Sequence, residues 1–252
     1  MKNPNNIVIT GASSGIGLAL AKAYALKNRN LLLLGRNKER LEKCQKICNK
    51  LGANSIINIC DVKEKNRLNK IIKNFNRKHP IDLAIANAGI SAGTSGKGEN
   101  YTQLKEIYDT NIYGVINTID PLIEDFKSRK SGQIAIISSI ASFRGLPSAP
   151  AYSSSKACIR YYAEALRGEL SQHNISVNII CPGYIKTPLT DKNKFPMPLL
   201  MEADYAAKHI KTQLSKNKAL VIFPKTLYYI IKLCSVLPSK ISDKIFAALP
   251  KK

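Results

Sequence analysis

Tyr152 and Lys156 lie four residues apart in a stretch whose apolar side chains recur with helical spacing. Side chains at this spacing share one face of a helix and can reach each other. A free phenol has a pKa of about 10, and a nearby positive charge favours the phenolate, which moves the pKa toward neutrality, where acid–base catalysis is efficient. Ser139, thirteen positions before Tyr152, follows a predicted strand, and its hydroxyl can hold a carbonyl oxygen beside the phenol. Each residue alone also fits an ordinary role in a turn or at the surface, so the combination carries the prediction.

A second chemical pattern is the glycine-rich stretch 10–17, which reads TGASSGIG and follows the apolar run 7–9. It predicts a strand that turns sharply into a helix and cradles a phosphate. Gly11 permits the tight turn, Gly15 lets the main chain approach a pyrophosphate, and Gly17 lets helix and strand pack closely, with the anion at the helix N-terminus. The predicted cradle comprises Gly11, Ser13, Ser14, Gly15, Ile16 and Gly17. The alternative is a turn that only connects a strand to a helix.

The elements that must position these residues alternate between strands and helices, which predicts an α/β fold with a doubly wound parallel sheet. The predicted strands cover 7–9, 30–34, 56–60, 83–86, 133–138, 175–181 and 219–223. The predicted helices cover 16–24, 37–51, 63–78, a long segment from about 101, a segment from about 152, and 202–215. Sheets of this kind place their chemistry at the carboxyl ends of the strands.

The end of the second predicted strand bears on the choice of dinucleotide. A dinucleotide-binding fold places the adenosine ribose there, where a carboxylate binds the 2′-hydroxyl of NAD and a cation binds the 2′-phosphate of NADP. Arg36 follows Gly35 and no acid occurs before Glu39, which favours NADP, unless Arg36 is only a solvated residue at the start of a helix. Asp61, after the third strand, is predicted to accept from an adenine amino group, to cap the helix 63–78, or both.

Further residues at strand ends and in one helix extend this pattern. Asn87, Ala88 and Gly89 follow the fourth strand, where small residues let the chain pass close beneath a cofactor. Asn111 lies in the middle of the long predicted helix, where asparagine is mildly unfavourable, which suggests another role for it. The pair 182–183, Pro-Gly, follows the sixth strand.

Composition indicates one α/β domain, because the chain has 252 residues of which 44% are apolar and 22% charged. Because no apolar stretch of 18 residues occurs, we expect no signal peptide, no spanning helix and a cytoplasmic location. The six cysteines lack zinc-like spacing, and only Cys44 and Cys48 are close, as helical i and i+4 neighbours. We therefore expect reduced thiols and no metal.

The formal net charge of +22 suggests attraction to nucleic acid, anionic lipid or an acidic carrier or substrate. The lysines are spread over many elements of a chain that is also rich in Asn and Ile, which is typical of a compositional bias and a solvated surface. No basic groove with interleaved aromatic residues accompanies the charge. We therefore expect no nucleic-acid partner.

Two segments indicate a non-polar substrate and an unusual C-terminus. Residues 187–200 hold three prolines and several large apolar side chains without clear period, which predicts a substrate lid within a catalytic domain 1–223. Residues 224–252 form a predicted apolar and basic helical extension, which combines an apolar face (Leu227, Ile230, Ile231, Cys234 and Leu237) with Lys225, Lys232 and Lys240. The extension is predicted either to pack on its own domain or a partner subunit, or to lie on an anionic membrane as a peripheral contact.

The motifs follow one order along the chain: Thr10-Gly11-x3-Gly15-Ile16-Gly17, Asn87-Ala88-Gly89, Asn111, Ser139, Tyr152-x3-Lys156 and Pro182-Gly183-x3-Thr187. In this combination the sequence resembles the short-chain dehydrogenase/reductase family over about residues 5–190. The resemblance implies a Rossmann-like sheet of seven strands with a bound NAD(P). It implies that Tyr152 is the general acid/base and that Lys156 holds the nicotinamide ribose and lowers the tyrosine pKa. It also implies that Ser139 polarises the carbonyl and that Asn111 orders a water relay to Lys156.

The resemblance also implies the cofactor contacts. Arg36 is at the basic position of NADP-preferring members, Asp61 and Val62 lie beside the adenine, and Asn87 lies on the adenosine side. Ile185 and Thr187 lie at the carboxamide. The remaining cofactor contacts are Ala88, Gly89, Tyr152, Lys156, Pro182 and Gly183 of the motifs. Ala86 departs from the family, which often has Asn there, and neither Ser13 nor Ser14 supplies the basic residue of some NADP users. We expect NADP(H) in preference to NAD(H), on the strength of Arg36, and a homodimer or homotetramer.

The activity implied is reversible hydride transfer between NADPH and a carbonyl carbon or secondary alcohol, with Tyr152 giving the proton to the oxygen. The apolar lid, the extension, Phe143 and Leu146 indicate a non-polar or lipid-like ketone, and acyl-carrier-bound, steroid, sugar and xenobiotic substrates stay open. Two other classes remain: a non-catalytic NADP-binding scaffold or sensor, which usually lacks the Tyr and Lys retained here, and a nucleic-acid binder without NADP affinity.

Overall fold

The computed structural model describes residues 3–91, 99–147, 149–191, 193 and 195–247. Its strands are β1 (Asn6–Thr10), β2 (Asn30–Gly35), β3 (Asn54–Ile59), β4 (Leu83–Ala86), β5 (Gly132–Ile137), β6 (Ile175–Pro182) and β7 (Leu220–Phe223). Its helices are α1 (Gly15–Tyr24), α2 (Lys38–Lys50), α3 (Lys65–Lys78), α4 (Tyr101–Tyr108), α5 (Gly114–Arg129), α6 (Pro150–Ser171), α7 (Ala203–Ser215), α8 (Lys225–Val236) and α9 (Ser239–Ala247). A π-helical turn (Asp109–Tyr113) joins α4 to α5, and a 3-10 turn (Ile140–Ser142) follows β5.

Within the described residues, seven strands form one parallel sheet in the order β3-β2-β1-β4-β5-β6-β7. Parallel strands that are covered on both faces consist of continuous apolar runs, and the run 31–34, four leucines in β2, is fully buried. The predicted doubly wound, seven-stranded parallel sheet is confirmed. The strand order reverses between β1 and β4, and such a reversal opens a crevice at the carboxyl ends of the strands where ligands bind.

Helices cover both faces of the sheet because successive residues of each strand point to opposite sides. In β1, Ile7 and Ile9 belong to one apolar core, whereas Val8 belongs to the other. The first core is completed by Leu20 of α1, Leu41 of α2 and Ile210 of α7, and the second by Ile72 of α3, Ile119 of α5 and Ile159 of α6. The sheet is therefore packed on both faces, with predicted site residues at its strand ends.

Two predicted elements differ from the structure. The long helix expected from about residue 101 is interrupted by the π-helical turn that contains Asn111. Helix α3 begins at Lys65 after Glu64, so the expectation that Asp61 caps this helix is wrong. The Asp61 carboxylate instead accepts a 3.0 Å hydrogen bond from the main-chain amide of Lys63, in a turn that precedes the helix.

The C-terminal extension forms α8 and α9 in its described part, and residues 248–252 lie outside the described residues. Tyr228 of α8 makes an edge-on ring contact with Phe143 at 4.9 Å between centroids. Asp243 of α9 forms a 2.6 Å ion pair with Arg144. One side of the extension therefore packs on its own domain. No helix in the described ranges is both long enough and apolar enough to cross a membrane.

Candidate active site

The glycine-rich turn between β1 and α1 has a backbone that other residues cannot adopt without strain. Gly11 and Gly15 have φ angles of +67° and +54°, in the left-handed region that favours glycine. A Cβ atom on Gly17 would lie 2.2 Å from the carbonyl oxygen of Gly11, so only glycine fits there. The turn leads directly to the N-terminus of α1, whose free main-chain amides attract anions. This geometry fits the pyrophosphate of a dinucleotide.

Thr10 and Asn87 join the two sides of the crevice between β1 and β4. The Asn87 side-chain amide donates to the Thr10 carbonyl at 2.9 Å. The Thr10 hydroxyl accepts from the main-chain amides of Asn87 and Ala88 at 3.1 and 3.2 Å. Asn87 therefore stabilises the glycine-rich turn through its hydrogen bonds with Thr10. Its expected contact with adenosine stays a prediction. The sequence motif includes Thr10 but does not assign it a role. A polar residue at the end of a buried strand is the feature that indicates such a role.

Arg36 and Asp61 lie together at the end of the crevice where the adenosine ribose is expected. The Arg36 guanidinium is 3.5 Å from the Asp61 carboxylate, and Arg36 remains 59% exposed. Arg40, in the first turn of α2, lines the same cavity, as does Asn37, whose side chain caps this helix. Sequence reasoning missed Arg40, although its position four residues after Arg36 indicates a neighbouring cation. Two guanidinium groups therefore face this part of the cavity.

Ser139, Tyr152 and Lys156 are brought together where β5 ends against the first turns of α6. The hydroxyl of Ser139 is hydrogen-bonded to the phenol of Tyr152. The Lys156 ammonium donates to the main-chain carbonyl of Ile137 at 2.9 Å and lies 5.9 Å from the centre of the Tyr152 ring. Lys156 is 4% exposed, so its charge is held inside the protein beside the phenol.

Burial changes the acid–base properties of both groups. Burial raises the pKa of Tyr152, and the hydrogen bond with Ser139 opposes part of this rise. This direction is opposite to the lowering expected from the Lys156 charge, because the water-poor surroundings of the phenol disfavour the phenolate. Burial also lowers the pKa of Lys156 from 10.5 to about 8. Near neutral pH the phenol therefore keeps its proton.

Asn111 is fully buried behind the catalytic residues. Its side-chain amide donates to the Ile90 carbonyl at 2.9 Å and to the Ser155 hydroxyl at 3.0 Å, and its oxygen accepts from the Ile90 amide at 2.8 Å. The Ser155 hydroxyl in turn donates to the Tyr152 carbonyl at 2.7 Å. A π-helical turn often occurs at functional sites, and this one places Asn111 next to α6. The expected water relay to Lys156 stays a prediction.

One cavity of about 1280 Å³ connects nearly all of the residues predicted for the site. Its walls include Gly11, Ser13, Ser14, Gly15, Ile16, Arg36, Asp61, Val62, Asn87, Ala88, Gly89, Ser139, Tyr152, Lys156, Pro182, Gly183, Ile185 and Thr187. Gly17 and Asn111 lie behind the wall and shape it through the contacts described above. In the described part of the chain, no group of three or more His, Cys, Asp or Glu side chains is arranged to hold a metal ion.

The other end of the cavity is apolar and is built from the predicted lid and the C-terminal extension. The lid contributes Pro188, Leu189, Phe195, Pro196 and Pro198, whereas residues 192 and 194 lie outside the described part. The extension contributes Leu227, Ile230, Ile231 and Cys234 of α8, with Ile245, Phe246 and Ala247 of α9. Four of the five residues predicted for its apolar face therefore line the cavity, and Leu237, which follows α8, does not.

Fold and site together define an oxidoreductase of the Rossmann type that uses a nicotinamide cofactor. The chain belongs to the short-chain dehydrogenase family, since the family model described as short chain dehydrogenase matches residues 5–196.

Relatives cover most of the chain. An uncharacterized oxidoreductase of Myxococcus xanthus is 32% identical over 237 residues, which is 94% of each chain. A 3-oxoacyl-acyl-carrier-protein reductase of Chlamydia muridarum is 31% identical over 185 residues, 73% of this chain and 75% of its own.

Solved structures share the fold. That of a 3-oxoacyl-acyl-carrier-protein reductase from Brucella melitensis, with bound NAD, has a TM-score of 0.76 at 25% identity, and the match covers 87% of this chain and 89% of that one. A short-chain dehydrogenase from Sphingobium yanoikuyae in complex with NADPH has a TM-score of 0.78 at 22% identity, with 92% and 96% covered. Both dinucleotides are thus found among proteins of this fold.

Proposed function

We propose that this protein is an NADP(H)-dependent oxidoreductase that interconverts a non-polar, lipid-like ketone and its secondary alcohol. The observation that carries this proposal is the shared cavity: Tyr152, Lys156 and Ser139 open on the same space as the glycine cradle. A scaffold without activity has no need of a half-buried phenol beside a buried amine in that place.

The cradle and the N-terminus of α1 would hold the pyrophosphate, and Lys156 would hold the nicotinamide ribose. When bound, the cofactor supplies or accepts the hydride. Arg36 and Arg40 support the choice of NADP(H), because a guanidinium pairs with a phosphate through two charge-assisted hydrogen bonds. The ion pair with Asp61 leaves Arg36 more than half exposed, so Arg36 stays accessible to a 2′-phosphate.

In the direction of reduction, Tyr152 would hold its proton beside the substrate oxygen and release it as that oxygen gains charge. The raised pKa of Tyr152 supports this role, because a proton donor must be protonated at the working pH. Ser139 would donate a hydrogen bond to the same oxygen. The Lys156 ammonium would favour the phenolate that forms, since a buried charge acts strongly in a water-poor site.

The apolar end of the cavity supports a substrate with a long apolar part. The Chlamydia and Brucella relatives are named as 3-oxoacyl-acyl-carrier-protein reductases, which supports a carbonyl group on an acyl chain. A cytoplasmic location, a homodimer or homotetramer, and a peripheral membrane contact through the extension complete the proposal.

The test is a fluorescence titration of the purified protein with NADPH and, separately, with NADH, followed by a turnover screen of ketones. The chain contains no tryptophan, so the protein background is low. Tight NADPH binding with weaker NADH binding, and consumption of NADPH with an aliphatic ketone, are expected. Tighter NADH binding would reject the cofactor choice alone, and no binding of either would reject the oxidoreductase.

A further inference from the structure

The extension also carries large apolar side chains that are exposed at its surface. Tyr229, Leu233 and Val236 of α8 are spaced i, i+4 and i+7 and are 61%, 66% and 73% exposed. Ile241 and Ile245 of α9, at i and i+4, are also exposed. Large apolar side chains grouped in this way on two successive helices mark a surface that another body covers. We call these five residues the outer face.

Lysines accompany the outer face. Lys225 and Lys232 lie one helical turn from Tyr229, and Lys244 lies one turn from Ile241. These lysines and Lys240 are all exposed. Within the described residues of the extension, Asp243 is the one acidic side chain, and Arg144 already neutralises it. The apolar outer face is therefore flanked by cationic side chains, and this combination is typical of a helix that lies in the interface of an anionic membrane.

The apolar surface continues from the outside into the cavity. Ile230 is 54% exposed and Ile245 is 39% exposed, yet both also line the cavity. They lie on different helices, one on α8 and one on α9. Apolar side chains that line the cavity are therefore also exposed at the surface of the extension, at Ile230 and Ile245.

We propose that α8 and α9 lie in the interface of an anionic lipid bilayer and that the substrate enters the cavity directly from the lipid, past Ile230 and Ile245. For its substrate class this inference rests on the proposed function. Charge argues for lipid and against a second copy, because a second copy would bring its own exposed lysines against these. Each lysine near such a surface strengthens binding about fivefold.

The first test measures sedimentation of the full-length protein with vesicles of phosphatidylcholine, with and without phosphatidylglycerol. We expect binding to the anionic vesicles and at least tenfold weaker binding to the neutral ones. The double variant Leu233→Ser/Val236→Ser should lose most of this binding. Leu51→Ser, at a leucine after α2 that is 50% exposed, is the control and should bind as the wild type does.

A second readout separates this inference from the proposed function. Turnover of a short, water-soluble ketone with NADPH should be equal in the wild type and in Leu233→Ser/Val236→Ser. Turnover of a long-chain ketone presented in anionic vesicles should be at least tenfold lower in the double variant than in the wild type. Wild-type turnover of the soluble ketone without vesicle binding would overturn the membrane inference and leave the function intact. A concentration-dependent dimer that the double variant abolishes, again without vesicle binding, would assign the outer face to a second copy. Vesicle binding without turnover of any ketone would reject the function instead.

Discussion

The ammonium group of Lys156 donates a 2.9 Å hydrogen bond to the main-chain carbonyl of Ile137, the last residue of β5. The contact ties the helix that carries Tyr152 to the strand end that precedes Ser139. It also keeps a charge in a nearly water-free place, which is costly unless the group is paired. The same burial that positions the lysine therefore shifts its proton affinity.

Because of Lys156, the free energy of unfolding of the cofactor-free protein should change with pH in the alkaline range. Its pKa is about 8 when folded and 10.5 when unfolded, so between these values the unfolded state binds more protons and the free energy of unfolding rises with pH. This contribution is present above about 10.5 and is lost as the pH falls through about 8; its full size is about 3 kcal/mol. The check is urea unfolding at pH 7.5 and at pH 10. The free energy of unfolding should rise between these pH values in the wild type, and this rise should be absent in Lys156→Met.

The matched control is Lys208→Met, because Lys208 is exposed on α7. This variant should keep the wild-type pH dependence. If Lys156→Met showed that same dependence, burial would not be what sets the Lys156 pKa.

Replacing Tyr152 by Phe should remove the proton donor while the cofactor site remains. We expect turnover of the best ketone to fall by a factor of about 10² to 10⁴, the usual contribution of one general acid. The NADPH dissociation constant should change less than about threefold, because the cradle and the arginines are untouched. Tyr161→Phe, at an exposed tyrosine of the same helix, should turn over normally. Unchanged turnover in a folded Tyr152→Phe would show that another group gives the proton.

Replacing Gly17 by Ala should damage the cradle. The added Cβ would lie 2.2 Å from the Gly11 carbonyl oxygen and 2.6 Å from the Asn87 side-chain amide. We expect a loss of about 1–3 kcal/mol in the free energy of unfolding, as for other overpacked sites, and weaker NADPH binding. Gly168→Ala in α6 is the control, because a Cβ there meets nothing within 4 Å, and helix propensity predicts a gain of about 0.5–1 kcal/mol. Equal stability of the two variants would contradict the close approach of Gly17 to Gly11.

Arg40 should contribute to the preference for NADPH over NADH. Loss of a partly exposed charge-assisted pair costs about 1–1.5 kcal/mol, so Arg40→Ala should weaken NADPH binding about five- to tenfold and NADH binding hardly at all. Arg36→Ala should behave in the same way. Arg77→Ala, at an exposed arginine near the end of α3, should leave both dissociation constants unchanged. Parallel loss of both cofactors in Arg40→Ala would assign Arg40 to the stability of α2 instead.

Much of the fold follows from local patterns in the sequence. Buried parallel strands require continuous apolar runs such as 31–34, and the alternation of such runs with helices allows few topologies. The glycines at 11, 15 and 17 and the four-residue spacing of Tyr152 and Lys156 are equally local, because one turn or one helix face determines what they can do. These features could therefore be predicted without the structure.

Other features depend on segments that are distant in the chain, and only the tertiary structure decided them. Asp61 forms an ion pair with Arg36, and the two residues follow different strands. The helix-capping preference of Asp61 considers only its own segment of the chain and therefore does not predict this pair. The direction of the Tyr152 pKa shift depends on how completely its surroundings exclude water. The helical spacing of its apolar residues predicts the apolar face of the extension. The position of this face in the cavity wall results from packing against the catalytic domain. Sequence spacing determines which residues share a face, and the folded core determines what that face meets.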